Sequence, residues 1–382
     1  MKRIICVLTI LVLALGSVPL TAGAVELEIP AKSALLMDVA TGTVLYEANA
    51  HTPLAPASVT KVMTMLLIME ALDSGKIGWD DTVTASEAAA GKGGSQVYLK
   101  VGETMTVSDM LKAIAVSSAN DCACAMAEHL AGSEPAFVEM MNDRAAELGM
   151  QDTHFVNCTG LDDDPAAAEH LTSAYDIAVM SRQLMKYHPD IKKFTTIWMD
   201  TLRNGTFGLS NTNKMVRFYR GATGLKTGFT AAAGYCLSAS AQRDGMELIA
   251  VVMGCETSAK RFAACKAMLD YGFANFGVVT PEMPGTATVP VTLGTEETVT
   301  AVPSRTTPIL VDKAQKNSVT VRTTVDPQVS APVSKGQRLG TMTVYAGEQV
   351  LQETPLVAAT TIPRLTWADI FLRLLKAAVM AA

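Results

Sequence analysis

Pro56-Ala57-Ser58-Val59-Thr60-Lys61, leading into Val62-Met63-Thr64-Met65-Leu66-Leu67-Ile68-Met69-Glu70, is the stretch on which the reading of this chain turns. Pro53 and Pro56 stop any earlier helix, and the Met- and Leu-rich run after them favours one. The spacing predicts a buried helix that opens at Ser58 and ends near Ser74-Gly75. Residues at i and i+3 share a helix face, so the Lys61 ammonium comes within reach of the Ser58 hydroxyl. A serine hydroxyl is a poor nucleophile until a base takes its proton. A lysine is a poor base until burial or nearby positive charge lowers its pKa. A buried pair supplies both parts without histidine, and the Ser58 N–H at the helix start is free to stabilise an oxyanion. Alone, Ser-x-x-Lys recurs by chance as a capping serine and a solvated lysine. The motif needs company.

The surroundings are those of a folded protein. Of 382 residues, 49% are hydrophobic and 18% charged, enough for one full core and room for two domains. The net charge is −6 and no basic run stands out, so no nucleic-acid partner is indicated. Met1-Lys2-Arg3, the apolar run Ile4 to Leu15 and Ala22-Gly23-Ala24 make residues 1–24 read as a secretory signal. The expected location is therefore outside the cytoplasm, at the outer face of the cytoplasmic membrane or in the cell envelope. Beyond Cys6, Cys122, Cys124, Cys158, Cys236, Cys255 and Cys265 match no metal-site spacing, and most sit in apolar surroundings, as small buried hydrophobes do.

Along the chain, Ala34 to Tyr46 reads as a β-hairpin around an Asp/Gly turn. Helical spacing follows at Val107–Val116, Asp121–Leu130, Pro135–Leu148 and Leu171–Met185. Strands are expected from Thr223, at Gly234–Ala241 and at Glu247–Gly254, then a helix at Lys260–Phe273. Helices grouped between strands from both ends of residues 25–276 give an α+β domain with one antiparallel sheet and a helical cluster. From 278 to 360 Val, Thr, Pro and Gly dominate, with alternation at Val319–Val325 and a turn at Ala346-Gly347, as in a small all-β domain. In the tail, 363–382, Thr366, Asp369, Arg373 and Lys376 form one helical stripe, opposite Trp367, Ile370, Phe371, Leu374 and Leu375. Such a helix suits a membrane interface; the other reading docks it on the β domain.

Two further stretches keep the Ser-x-x-Lys motif company. Ser118-Ala119-Asn120, between two helices, offers a hydroxyl and an amide to relay a proton and hold a substrate amide. Lys226-Thr227-Gly228, placed at a strand start, offers a cation and a hydroxyl for a carboxylate, and a glycine for close approach. The three in this order are the set shared by penicillin-binding proteins and class A β-lactamases, here with Ala119 in place of Asp.

The chain resembles the D-alanyl-D-alanine carboxypeptidases, which are low-molecular-mass penicillin-binding proteins of the serine type. Gly94-Ser95-Gln96, His154-Phe155-Val156-Asn157 and Gly234-Tyr235 extend the likeness, as do the β-rich second domain and amphipathic tail. The resemblance implies a penicillin-binding/β-lactamase-like fold and removal of the terminal D-Ala from peptidoglycan stem pentapeptides, with β-lactams as covalent inhibitors and no cofactor or metal. It implies Ser58 as the acylated nucleophile, Lys61 as general base, and Ser118 and Asn120 as proton-transfer and positioning groups. Lys226, Thr227 and Gly228 would bind the peptide's terminal carboxylate region, and the N–H groups of Ser58 and Phe229 the oxyanion. Arg261 falls where the family has an arginine; a surface charge is the other reading. Phe229 stands where several relatives have His.

The rivals are a β-lactamase, with Asp162, Asp163, Asp164 or Glu169 as deacylating acid, and a non-catalytic wall-binding protein on the same fold. The β domain and tail speak against the first, and the intact Ser58, Lys61, Asn120 and Lys226 against the second. A Ser/His/Asp hydrolase is disfavoured because none of the five histidines goes with a Gly-x-Ser-x-Gly stretch.

Overall fold

The computed structural model describes residues 27–380; the secretory signal expected at 1–24 lies outside the described residues. A five-stranded antiparallel sheet organises the first domain. Its strands are β1 (Ser33–Asp38), β2 (Val44–Ala48), β3 (Ala222–Thr230), β4 (Gly234–Arg243) and β5 (Met246–Cys255). They lie in the order β2-β1-β5-β4-β3, so the N-terminal hairpin joins the sheet only through β1 and β5. Side chains alternate across each strand. Leu35, Met37, Ile249 and Val251 face the helical cluster, while Ala34, Leu36, Leu248 and Val252 face the helix that follows the sheet. With both faces covered, residues 34–37 of β1 and 248–253 of β5 read as unbroken apolar runs.

The central helix is α1 (Lys61–Asp73), and its Val62, Met63, Leu66 and Ile68 are fully buried. Apolar residues on every side bury it all round. It starts later than the spacing predicted: Ser58 lies in a short 3₁₀ turn, Ala57–Thr60, and the regular helix begins at Lys61. The cause is local. Ala57 adopts a left-handed φ of 48°, and the Val59 N–H bonds back to the Pro56 carbonyl at 3.2 Å, an i→i−3 closure. Around α1 pack α2 (Val107–Ser117), α3 (Asn120–Ala131), α4 (Glu134–Glu147) and α5 (Ala174–Tyr187). α5 opens after the Leu171 the periodicity indicated, because the Ser173 hydroxyl caps it by accepting from the Asp176 N–H. On the sheet's other face lies α6 (Ser258–Asn275), capped by Thr257.

Phe276–Val279 pairs with Ile309–Asp312 and leads into the second domain, which carries a mostly antiparallel six-stranded sheet. Val319–Val325 is a strand with the expected alternation, and Gly347 turns the chain between Arg338–Ala346 and Gln349–Ala358. Val289, Val299, Leu339, Met342, Leu356 and Ile362 give this domain a core of its own. The tail is a helix, α7 (Trp367–Met380), with Trp367 87% and Leu374 66% exposed. Its apolar stripe is therefore not docked on the β domain, although Arg373 donates to the Thr295 carbonyl at 2.8 Å. Among the described residues no helix is long and apolar enough to cross a membrane.

Candidate active site

The turn before α1, the α2–α3 junction and strand β3 form the candidate site. Lys61 is completely buried; its Nζ donates to Ser58 Oγ at 3.0 Å and to the Thr159 carbonyl at 2.7 Å. Burial disfavours the ammonium and brings the Lys61 pKa down to about 7. Neutral lysine is then available near neutral pH, next to a hydroxyl it can deprotonate.

The turn is fixed from behind by groups the motif reading did not single out. Thr60 Oγ1 donates to the Ala57 carbonyl at 2.8 Å and lies 2.8 Å from His170 Nε2. The Val156 N–H donates to His170 Nδ1 at 3.1 Å, so Nδ1 is the acceptor and Nε2 carries the proton given to Thr60. Burial, with lesser contributions from His154 and Lys61, lowers the His170 pKa to about 4 and keeps the ring neutral. Gly160 closes the same shell: at φ 79°, a Cβ there would lie 1.9 Å from the Ala57 oxygen. Thr159 and His170 carry no local signal of these roles, since their partners lie far away in sequence.

The α2–α3 junction holds the second motif. Ser118 ends α2 in a left-handed conformation, φ 64°, and is 2% exposed. Asn120 opens α3; its N–H donates to the Ser95 carbonyl and its Nδ2 to the Gly93 carbonyl, both at 2.7 Å. Its Oδ1 is buried without a hydrogen-bond partner among the described residues. A buried acceptor left open in this way is available to a donor on a substrate. Next door, buried Asp121 accepts from the N–H groups of Val97 and Leu99 at 3.1 and 3.0 Å, strapping the 93–99 segment to α3.

Lys226 falls in the middle of β3, not at a strand start, because the strand already begins at Ala222. It is 1% exposed and donates to the Thr227 carbonyl at 3.0 Å. Burial first, then Lys61 and Arg261, push its pKa well below the ordinary lysine value, so these cations share one region. Thr227 Oγ1 donates to Thr212 Oγ1 at 2.7 Å, and the Thr212 N–H donates to the Val116 carbonyl of α2. Gly228 backs onto the nucleophile's turn: a Cβ there would stand 2.6 Å from the Pro56 oxygen. Phe229 is 54% exposed and stacks on Tyr235 at 4.2 Å.

Arg261 is buried, which removes the surface-charge reading. Its Nη1 donates to the carbonyls of Gly228 at 2.9 Å and Cys236 at 3.3 Å, so it buttresses β3 and β4 from beneath. Asp162, Asp163, Asp164 and Glu169 are exposed, and none of them bonds to Ser58 or Lys61. Among the described residues no group of three or more His, Cys, Asp or Glu side chains is placed to hold a metal ion.

An α+β fold in which a buried amine touches a serine hydroxyl beside a strand bearing Lys-Thr-Gly defines a penicillin-binding serine hydrolase. The family model for D-alanyl-D-alanine carboxypeptidase matches residues 20–257, and that for the penicillin-binding protein 5 C-terminal domain matches 282–364. The chain belongs to the D-alanyl-D-alanine carboxypeptidase family. It is 45% identical to D-alanyl-D-alanine carboxypeptidase DacF of Bacillus subtilis over 87% of this chain and 86% of that protein. It is 34% identical to DacC of Escherichia coli over 86% and 83%. The crystal structure of penicillin-binding protein 5 from Haemophilus influenzae superposes with a TM-score of 0.75 at 30% identity, covering 88% of this chain and 98% of that one. Ampicillin-bound penicillin-binding protein D2 from Listeria monocytogenes matches 65% of this chain and 99% of its own, at TM-score 0.57 and 32% identity.

Proposed function

We infer that this enzyme removes the terminal D-Ala from peptidoglycan stem pentapeptides through an acyl-enzyme on Ser58. The observation that carries the assignment of roles is the buried Lys61 amine, 3.0 Å from Ser58 Oγ and lowered to a pKa of about 7. Neutral Lys61 takes the Ser58 proton as Oγ attacks the carbonyl of the penultimate D-Ala. The negative charge on the carbonyl oxygen is held by the Ser58 and Phe229 N–H groups. Collapse breaks the peptide bond, and D-Ala leaves with a proton relayed from the Lys61 ammonium through Ser118. Asn120 holds the substrate amide, with its unpartnered Oδ1 as acceptor. Lys226 and Thr227 meet the terminal carboxylate, and Arg261 keeps the Gly228 carbonyl, and so the strand, in place. Water then hydrolyses the ester, with Lys61 as base.

β-Lactams present a strained amide and a carboxylate to the same groups, and ampicillin occupies the related Listeria protein. A labelled penicillin read by intact mass tests the nucleophile: the wild type gains one adduct and Ser58→Ala gains none. Labelling of Ser58→Ala at the wild-type rate overturns the assignment. Diacetyl-Lys-D-Ala-D-Ala, assayed for free D-alanine, tests the reaction; penicillin turnover with no D-alanine released would restore the β-lactamase reading.

The same inference places the enzyme outside the cytoplasm, held at the membrane surface by α7. The signal-like residues 1–24 and the exposed apolar stripe of α7 support this. Co-sedimentation with anionic phospholipid vesicles, lost on truncation after Arg364, is the expected result; equal sedimentation of both forms refutes it.

A further inference from the structure

Two thiols meet beside the Lys61 anchor. Cys124 lies on α3, Cys158 in the loop that carries Thr159, and both are fully buried. Both sulfurs face one carboxylate, that of Glu134. Cys158 Sγ is 3.2 Å from Glu134 Oε1, and Cys124 Sγ is 3.8 Å from Glu134 Oε2. The Cys158 N–H also donates to Glu134, and its carbonyl accepts from Thr64 Oγ1 of α1 at 2.7 Å. Elsewhere Cys236 and Cys265 direct their sulfurs at backbone carbonyls. Glu134, paired with Lys92 at 2.5 Å, borders a cavity of 540 Å³ also lined by Asn157 and Thr159, the residues flanking Cys158.

We propose that Cys124 and Cys158 form a disulfide when the chain meets a disulfide oxidant, fastening α3 to the loop whose carbonyl holds Lys61. One thiolate attacks a sulfur of the oxidant and releases one thiol. The second cysteine then attacks the mixed disulfide and releases the other. Two protein thiols thus lose two protons and two electrons, and the oxidant's disulfide becomes two thiols. In the folded protein the neighbouring thiol, burial and Glu134 keep Cys158 protonated, so exchange proceeds during folding or local opening. The bond ties the second turn of the helix that begins with Asn120 to the residue preceding Thr159, and closes a loop of roughly 35 residues. This inference does not depend on which substrate the enzyme takes.

The test refolds the chain from denaturant in a mixed reduced and oxidised glutathione buffer. It is then denatured, alkylated with N-ethylmaleimide and mapped by peptide mass. The expected result is a single cross-linked peptide pair joining Cys124 to Cys158, with the other cysteines alkylated. The oxidised protein should melt about 5 °C or more above the reduced one. Cys124→Ser and Cys158→Ser should each abolish the cross-link and that gain, while keeping the cooperative melt of the reduced wild type. Full alkylation of both cysteines after oxidative refolding, or a different pair in the cross-linked peptide, overturns the proposal.

Discussion

Gly228 and Ser58 are in backbone contact: a methyl placed on the Gly228 α-carbon would lie 3.1 Å from the Ser58 nitrogen. Strand β3 and the nucleophile's turn are therefore closed together as tightly as side-chain-free backbone permits. The closure sets Gly228, which follows Lys226 and Thr227 and precedes Phe229, against the turn that carries the serine. Arg261 holds it from the far side through the Gly228 carbonyl.

Gly228→Ala tests that closure. Its methyl meets the Pro56 oxygen at 2.6 Å, a rigid backbone atom that cannot swing aside, so strand and turn must separate. Penicillin acylation is expected to slow at least tenfold, with stability reduced by about 1–3 kcal/mol. Stopped-flow labelling and urea unfolding read the two effects. Acylation at the wild-type rate would contradict the contact.

The pH profile of acylation follows from Lys61. In the proposed mechanism the neutral amine is the base, and its pKa is about 7, so the neutral fraction grows as pH rises through that value. The acylation rate should climb about tenfold per pH unit below 7 and level off above it. Lys61→Arg, whose side chain stays charged throughout, should show neither the rise nor measurable acylation. A flat wild-type profile between about pH 5 and 9 would remove Lys61 from the base role.

Asn120→Ala deletes both the orphaned Oδ1 and the Nδ2 bond to the Gly93 carbonyl. A loss of about a hundredfold in kcat/KM for D-alanine release is expected, with the fold preserved because the Asn120 N–H still bonds to Ser95. Steady-state kinetics on the diacetyl tripeptide check it.

His170 makes stability depend on acid. Its folded pKa, about 4, lies below the ordinary value of 6.5, so between these pH values the unfolded chain binds the proton more readily. Stability is therefore lost as pH falls through this window, by about 3 kcal/mol from this group. Below it both states are charged and no further loss comes from His170. His170→Gln should flatten that part of the urea-unfolding profile; an unchanged slope would assign the loss elsewhere.

Much of the architecture is legible locally. The Val319–Val325 alternation, the Ala34–Tyr46 hairpin and the helix after Thr106 are period and turn signals that survive folding unchanged. Boundaries moved where a side chain or an unusual φ overruled periodicity: Ser173 delays α5, and Ala57 replaces the expected first turn of α1 with a 3₁₀ turn. The long-range partners were not legible. Nothing near Lys61 announces the Thr159 carbonyl, 98 residues on, and nothing near Thr60 announces His170, 110 residues on.

The amino-acid sequence determined the family and nominated the candidate reacting groups, because Ser58, Lys61, Ser118, Asn120 and Lys226 stand in short motifs whose order and spacing are covalent facts. Tertiary structure alone decided that Lys61 is buried enough to be a base, that Arg261 works beneath the sheet, and that two cysteines on separate elements share one carboxylate. A pKa, a buttress and a thiol pair all depend on what lies within a few ångströms, and packing sets those neighbours through residues far apart along the chain.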